Sequence, residues 1–167
     1  MQKFAQKIGK FVYDLLINVY NGLGSGFSET VYQNAFSIEL RERGIEYLRE
    51  VNLEVFYKGH AVGNDRPDFI ILKGKIDNSE IKYPVVIEMK VGNFISNDNR
   101  QQLKTYFVSL CQTKDRRLKD IRLGILARIL KSEDHFIPER TRSPVEIEVF
   151  WFDDIRRRMD LVWHYGR

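Results

Sequence analysis

Two short apolar runs, each bounded by acidic residues, constrain this chain more than anything else in it. The first, Phe69-Ile70-Ile71-Leu72, follows Arg66-Pro67-Asp68, and twenty positions after Asp68 the second run, Val85-Val86-Ile87-Glu88-Met89-Lys90, reaches its own acid. Side chains alternate faces along a strand, so Glu88 and Lys90 share one face and Ile87 and Met89 the other. If the runs are neighbouring strands, two carboxylates and an ammonium converge at one end of a sheet. Such a group suits a hard divalent cation with a water held beside it, the chemistry of metal-assisted phosphodiester hydrolysis.

Hydrophobic periodicity supplies the rest of the framework. Phe4, Ile8, Phe11, Val12, Leu15, Leu16 and Val19 recur at helical spacing and predict a helix over about residues 2–21, stopped by Gly22, Gly24 and Gly26. A second helix is expected from near Phe27 to Arg43, with Gly44 as its stop. A strand over Ile45 to Tyr57 should turn at Lys58-Gly59 and return over Ala61 to Leu72. The polar stretch Lys73 to Lys82 links that strand to Tyr83–Lys90, and Ser96 or Asn97 can cap a helix reaching Leu110. Ile121–Ile129 reads as a buried strand, and Val145–Phe152 alternates Glu146 and Glu148 with apolar neighbours. The order helix, helix, three strands, helix, strand, strand describes a layered α/β or α+β domain.

Composition narrows the class. The 167 residues, 43% hydrophobic and 30% charged, suit one domain with a sizeable core and exclude a disordered chain. A net charge of +4 is compatible with a polyanionic partner without requiring one. Cys111 is the single cysteine, which rules out an internal disulfide and a cysteine-based zinc site and indicates an intracellular protein, cytoplasmic or nuclear. No apolar run approaches the roughly 18 residues of a membrane span.

A Glu-x-Lys triplet is weak by itself, because about one is expected by chance at this composition. The chain holds a second, Glu80-Ile81-Lys82, next to the turn-forming Asp77-Asn78-Ser79, whereas Glu88 ends a β-branched buried run. Other residues support the second run. Gly26-Phe27-Ser28-Glu29-Thr30-Val31-Tyr32 puts Glu29 in the first turn of a helix, where the dipole alone would favour an acid. Gln102 and Tyr106 stand at i and i+4 on one helix face after the Glu88 strand. The basic clusters containing Arg116, Arg117 and Lys119, and Arg156, Arg157 and Arg158, can contact nucleic-acid phosphates or form solvated faces. His60, His135 and His164 lack metal-ligand spacing, and Phe150, Trp151, Phe152 and Trp163 suit a core or an oligomer interface better than base stacking.

Taken in order, Gly26-x-x-Glu29-x-x-Tyr32, Arg66-x-Asp68, Glu88-x-Lys90 and Gln102-Leu-x-x-Tyr106 resemble the GxxExxY family of the PD-(D/E)xK nuclease superfamily. The flanking Leu23-Gly24-Ser25-Gly26-Phe27, Glu39-Leu40-Arg41-Glu42-Arg43-Gly44-Ile45 and Val55-Phe56-Tyr57-Lys58-Gly59 match it too, so the resemblance covers about residues 5–110 and, more loosely, Ile121–Ile129. It implies a restriction-endonuclease-like core, a mixed central sheet flanked by helices, in one domain with a C-terminal extension from about residue 131. By the same resemblance Asp68, Glu88 and Glu29 are metal ligands for Mg²⁺ or Mn²⁺, Lys90 is the catalytic lysine and Gln102 an accessory catalytic residue. Tyr106, Arg116, Arg117, Lys119, Arg156 and Arg157 would meet nucleic acid, DNA rather than RNA, and a homodimer or partner protein is compatible with the pattern. An inactive nuclease-fold scaffold that binds nucleic acid or protein is the alternative. The Lys73–Lys82 link is longer than is usual in the family, and Glu80-Ile81-Lys82 would give the more typical spacing.

Overall fold

The apolar stripe at the N-terminus does form a helix, and that helix covers one face of a sheet. In the computed structural model, which describes residues 2–76, 79–131 and 143–166, α1 spans Gln2–Leu23 and buries Ala5, Ile8, Gly9, Val12, Leu15, Leu16 and Val19. Gly9 is needed for this approach, because a Cβ there would collide with the Trp163 ring and the Val149 side chain. Helix α2 (Glu29–Glu42) follows on the same layer, and α3 (Asn97–Leu110) lies on the opposite one. Ser96 caps α3 reciprocally: its hydroxyl accepts from the Asn99 N–H and the Asn99 side chain accepts from the Ser96 N–H.

Between the helical layers lies a six-stranded sheet. Its strands in chain order are β1 (Tyr47–Arg49), β4 (Phe69–Ile71), β7 (Val85–Val91), β8 (Leu123–Ile129), β9 (Val145–Asp153) and β10 (Arg158–Tyr165), and these are also neighbours in that order. Of these strands β7 and β8 pair in parallel, joined by the α3 crossover; the other pairs are antiparallel, so the sheet is mixed. Alternation sends Ile87, Met89, Ile125, Ile147 and Val149 into the core under α1 and α2, and Ile70, Val86, Leu126, Phe150 and Phe152 into the core under α3.

The two long strands expected over 45–57 and 61–72 are each divided. The first is interrupted after β1, where Glu50 has a φ of +48°, and resumes as β2 (Leu53–Tyr57). The second is β3 (His60–Asp65) followed by β4, broken by Pro67, which has no N–H to donate to a ladder. Strands β2 and β3 form a separate hairpin with the expected Lys58-Gly59 loop, both residues at positive φ (+49° and +81°) as a two-residue primed turn requires. The polar link is itself a hairpin, β5 (Gly74–Ile76) with β6 (Ser79–Ile81), which turns Ile76 and Ile81 into the core beside α1. Asp77 and Asn78, and His135, lie outside the described residues. Strand β10 had no expected counterpart; with β9 it brings residues 145–165 of the C-terminal extension into the same sheet.

Candidate active site

Strand β7 carries the site at its C-terminal end. Its register with β4 pairs Phe69 with Ile87, and one step further out Asp68 meets the backbone of β7: the Met89 N–H donates to Asp68 Oδ2 at 2.7 Å. Glu88 faces α3 and is 2% exposed. Both of its oxygens are engaged. Lys90 Nζ donates to Oε1 at 2.6 Å, and the Tyr106 hydroxyl donates to Oε2 at 3.0 Å. Tyr106 accepts in turn from Gln102 Nε2 at 2.7 Å, so the expected i, i+4 pair on α3 acts as a bracket that fixes Glu88.

Glu29 arrives from the other layer. Its Oε2 accepts from the Val91 N–H at 3.2 Å and its Oε1 lies 3.9 Å from Lys90 Nζ. The chain leading into α2 explains how. Gly24 and Gly26 both have positive φ (+75° and +92°), conformations that glycine adopts without a Cβ penalty. The buried Tyr32 then donates its hydroxyl to the Gly24 carbonyl at 2.7 Å. The G-x-x-E-x-x-Y spacing therefore describes a tied loop with an acid at its helix start: Gly26 lets the chain turn, Tyr32 holds the loop, and Glu29 reaches β7.

The electrostatics are those of carboxylates kept together against their mutual repulsion. Burial, with the nearby Glu88 charge, pushes the Asp68 carboxyl up to about 7, although the Met89 N–H and Lys90 pull the other way. Glu88 is also held above the usual carboxylate range, by burial first, against the opposing pull of Lys90 and Tyr106. Burial disfavours the Lys90 ammonium, but the hydrogen bond and charge of Glu88, with Glu29 and Asp68 beyond it, outweigh burial and raise Lys90 above its ordinary value. The Tyr106 hydroxyl is pushed up by burial and by Glu88, so it remains a donor.

The structure thus brings Glu29, Asp68, Glu88, Lys90, Gln102 and Tyr106 together. It leaves Glu80 exposed in the β5–β6 hairpin, away from Asp68, so Glu88-x-Lys90 is the triplet beside the first acid. Tyr106 is buried behind Glu88 instead of lying on an open surface. The expected basic residues do not join this carboxylate cluster. Arg116, Arg117 and Lys119 flank a 3-10 turn (Arg116–Leu118) that precedes β8, and Arg156 and Arg157 belong to the β9–β10 turn; both are at the end of the sheet opposite Lys90. Arg117 is held by Asp115 at 2.7 Å.

Sequence reading missed the charges buried behind α3. Glu146 and Glu148, on the α3-facing side of β9, are 7% and 0% exposed; Arg100 donates to Glu148 through Nε at 2.8 Å and Nη2 at 2.7 Å, and Arg128 pairs with Glu146 at 3.3 Å. Arg100 thereby locks the first turns of α3 to the sheet, and with them Gln102. Alternating acids in a strand resemble a solvated face; only the basic partners, remote in sequence, reveal otherwise.

Among the described residues no three His, Cys, Asp or Glu side chains stand close enough to form a protein-only metal cage. Mg²⁺, however, commonly takes one or two protein carboxylates and fills its octahedron with water and substrate oxygens. Asp68, which reaches the backbone of β7 at Met89, and Glu88, on β7 itself, supply the two carboxylates that such a site takes.

Comparison with known proteins agrees with this geometry. A search of curated proteins gives no match. A family model described as the PD-(D/E)XK nuclease superfamily matches residues 6–118, more than half of the 167 residues and the whole stretch from Glu29 through Tyr106. With the mixed sheet and flanking helices, this match establishes that the chain belongs to the PD-(D/E)XK nuclease superfamily.

Proposed function

We propose that this protein is a Mg²⁺- or Mn²⁺-dependent nuclease of the GxxExxY type that hydrolyses phosphodiester bonds in DNA. The observation that carries the reading is the pairing of Asp68 with Glu88. Half-buried Asp68, just before β4, and buried Glu88, on the neighbouring β7, are both held above their ordinary range, a pairing of carboxylates that a bound divalent cation would relieve. Asp68 and Glu88 would hold that cation, with Glu29 at its edge. Bound there, a divalent ion supplies Lewis acidity toward the phosphate and a more acidic water.

The chain's own residues do the rest. Tyr106, backed by Gln102, fixes the orientation of Glu88 through Oε2. Lys90, which donates to Glu88 Oε1, is a cation on a flexible stem on the same face and serves to orient the attacking water or to meet negative charge developing on the phosphoryl oxygens. Glu29 steadies the end of β7 through Val91 N–H and biases Lys90 toward the site. The experiment is cleavage of single- and double-stranded DNA with Mg²⁺ or Mn²⁺ by the wild type, Asp68→Ala and Lys90→Ala. Activity that survives both substitutions sinks the assignment.

One observation favours a second reading, a binding protein that retains the fold without turnover. Protein donors already engage both oxygens of Glu88. That reading predicts no metal-dependent cleavage, retained binding of nucleic acid or protein, and no heat of Mn²⁺ binding by calorimetry.

A further inference from the structure

Resting on the nuclease reading, we infer that the trough between α3 and the β9–β10 turn binds the phosphodiester backbone of the nucleic-acid substrate along its approach to the site. The trough encloses about 510 Å³. Arg100 and Lys104 line it from α3, Arg157 and Arg158 line it from the turn, and Phe150 and Met159 supply apolar lining. These cations come from segments more than fifty positions apart, and no carboxylate is among the described lining residues.

Among the described residues, two of the four cations are already paired and two are not. Arg100 is neutralised by Glu148, and Arg158 pairs with Asp160. Lys104 and Arg157 have no ion pair among the described residues, so each is available to a phosphate. Arg157 also has a φ of +49°, in the left-handed region where glycine or asparagine is the usual occupant; the turn keeps an arginine there despite the backbone preference.

Position connects the trough to the site. Arg100 lies two residues before Gln102, and its partner Glu148 is in register with Leu126, which is in register with Glu88. That separation is two strand spacings, about 10 Å. The α3 residues that line the trough run from Asn97 to Lys104, a span of roughly 10 Å at 1.5 Å per residue. About three nucleotides at ~3.4 Å each would fit along it. Contacts of this kind are independent of sequence and sensitive to salt.

The experiment is anisotropy of a fluorescein-labelled 20-nucleotide DNA, titrated with protein in EDTA across a series of salt concentrations. Lys104→Ala/Arg157→Ala should weaken binding about 10-fold or more at low salt and reduce the slope of log K against log salt by about 1.4–1.8, the contribution of two cations. Lys58→Ala/Lys75→Ala, which removes the same charge from the β2–β3 and β5–β6 hairpins, should keep the wild-type slope, as should the charge-conserving Lys104→Arg/Arg157→Lys. Equal losses in the two alanine doubles, or binding indifferent to Lys104→Ala/Arg157→Ala, overturn the trough and leave the nuclease reading standing. Wild-type protein that binds no DNA in EDTA also overturns the trough, whereas the nuclease reading falls only if cleavage with Mg²⁺ or Mn²⁺ survives both Asp68→Ala and Lys90→Ala.

Discussion

Replacing Asp68 by asparagine should make the metal-free protein more stable at neutral pH. The amide that replaces the carboxyl keeps an oxygen that can accept from the Met89 N–H, and only the charge is removed. In the folded chain the Asp68 carboxyl titrates at about 7, against an ordinary value of 3.8. The folded state therefore holds a proton that the unfolded state releases from about pH 4 upward. Stability is lost as pH rises through that interval, and the full loss is reached above about 7. Three units at 1.36 kcal/mol each set a ceiling of about 4 kcal/mol; Asp68 is only half-buried, and solvent screening brings this down to about 1–2 kcal/mol. For a chain of this length that corresponds to a Tm about 2–8 °C higher for Asp68→Asn at pH 8 in EDTA, with the difference vanishing near pH 4. Saturating Mg²⁺ should invert the order, since a ligand at 100 times its Kd adds about 2.7 kcal/mol to the wild type alone. Thermal melts at pH 4, 6 and 8, with EDTA and with Mg²⁺, read all of this. Asp68→Asn that is destabilised equally at pH 4 and pH 8 would refute the reasoning, because Asp68 would then be a structural acceptor without an electrostatic penalty.

Lys90→Ala should lower DNA cleavage by about 10²–10³-fold, the loss typical of one positioned electrophilic group. Mn²⁺ affinity measured by calorimetry should be retained or increased, since the ammonium no longer competes for Glu88 Oε1. Tyr106→Phe removes the donor to Glu88 Oε2 and should lower stability in urea by about 1–3 kcal/mol, with the larger loss at high pH where Glu88 is ionised; no change would mean that the bracket is dispensable. Gly124→Ala sets a Cβ 2.8 Å from the Phe107 ring, and overpacking of β8 against α3 should cost about 1–3 kcal/mol in the same assay.

Much of the architecture was legible because periodicity and caps agreed. The stripe from Ile8 to Val19, the Ser96 cap and the alternation around Glu88 each have one local solution, and the structure adopts it. Where the reading failed, a long-range term decided the outcome. Apolar content alone made 45–57 and 61–72 look like continuous strands; Pro67 and the positive φ of Glu50 cut both, because β1 and β4 belong to the main sheet and β2 and β3 do not. The Lys73–Lys82 link seemed to weaken the alignment of Glu88, yet the hairpin it forms accounts for its length and leaves Glu80 exposed. The charges of Glu146 and Glu148 could not be read as buried until Arg128 and Arg100 were found against them. Strand β10 carries alternating half-buried residues too weakly patterned to stand out.

The most direct measurement of the central claim is a crystal structure of the wild-type protein soaked in Mn²⁺, with the metal located by its anomalous scattering. A manganese ion held between the carboxylates of Asp68 and Glu88, with the Lys90 ammonium displaced from Glu88 Oε1, is the result expected. Manganese bound elsewhere, or none bound while Lys90 stays hydrogen-bonded to Glu88, would contradict it.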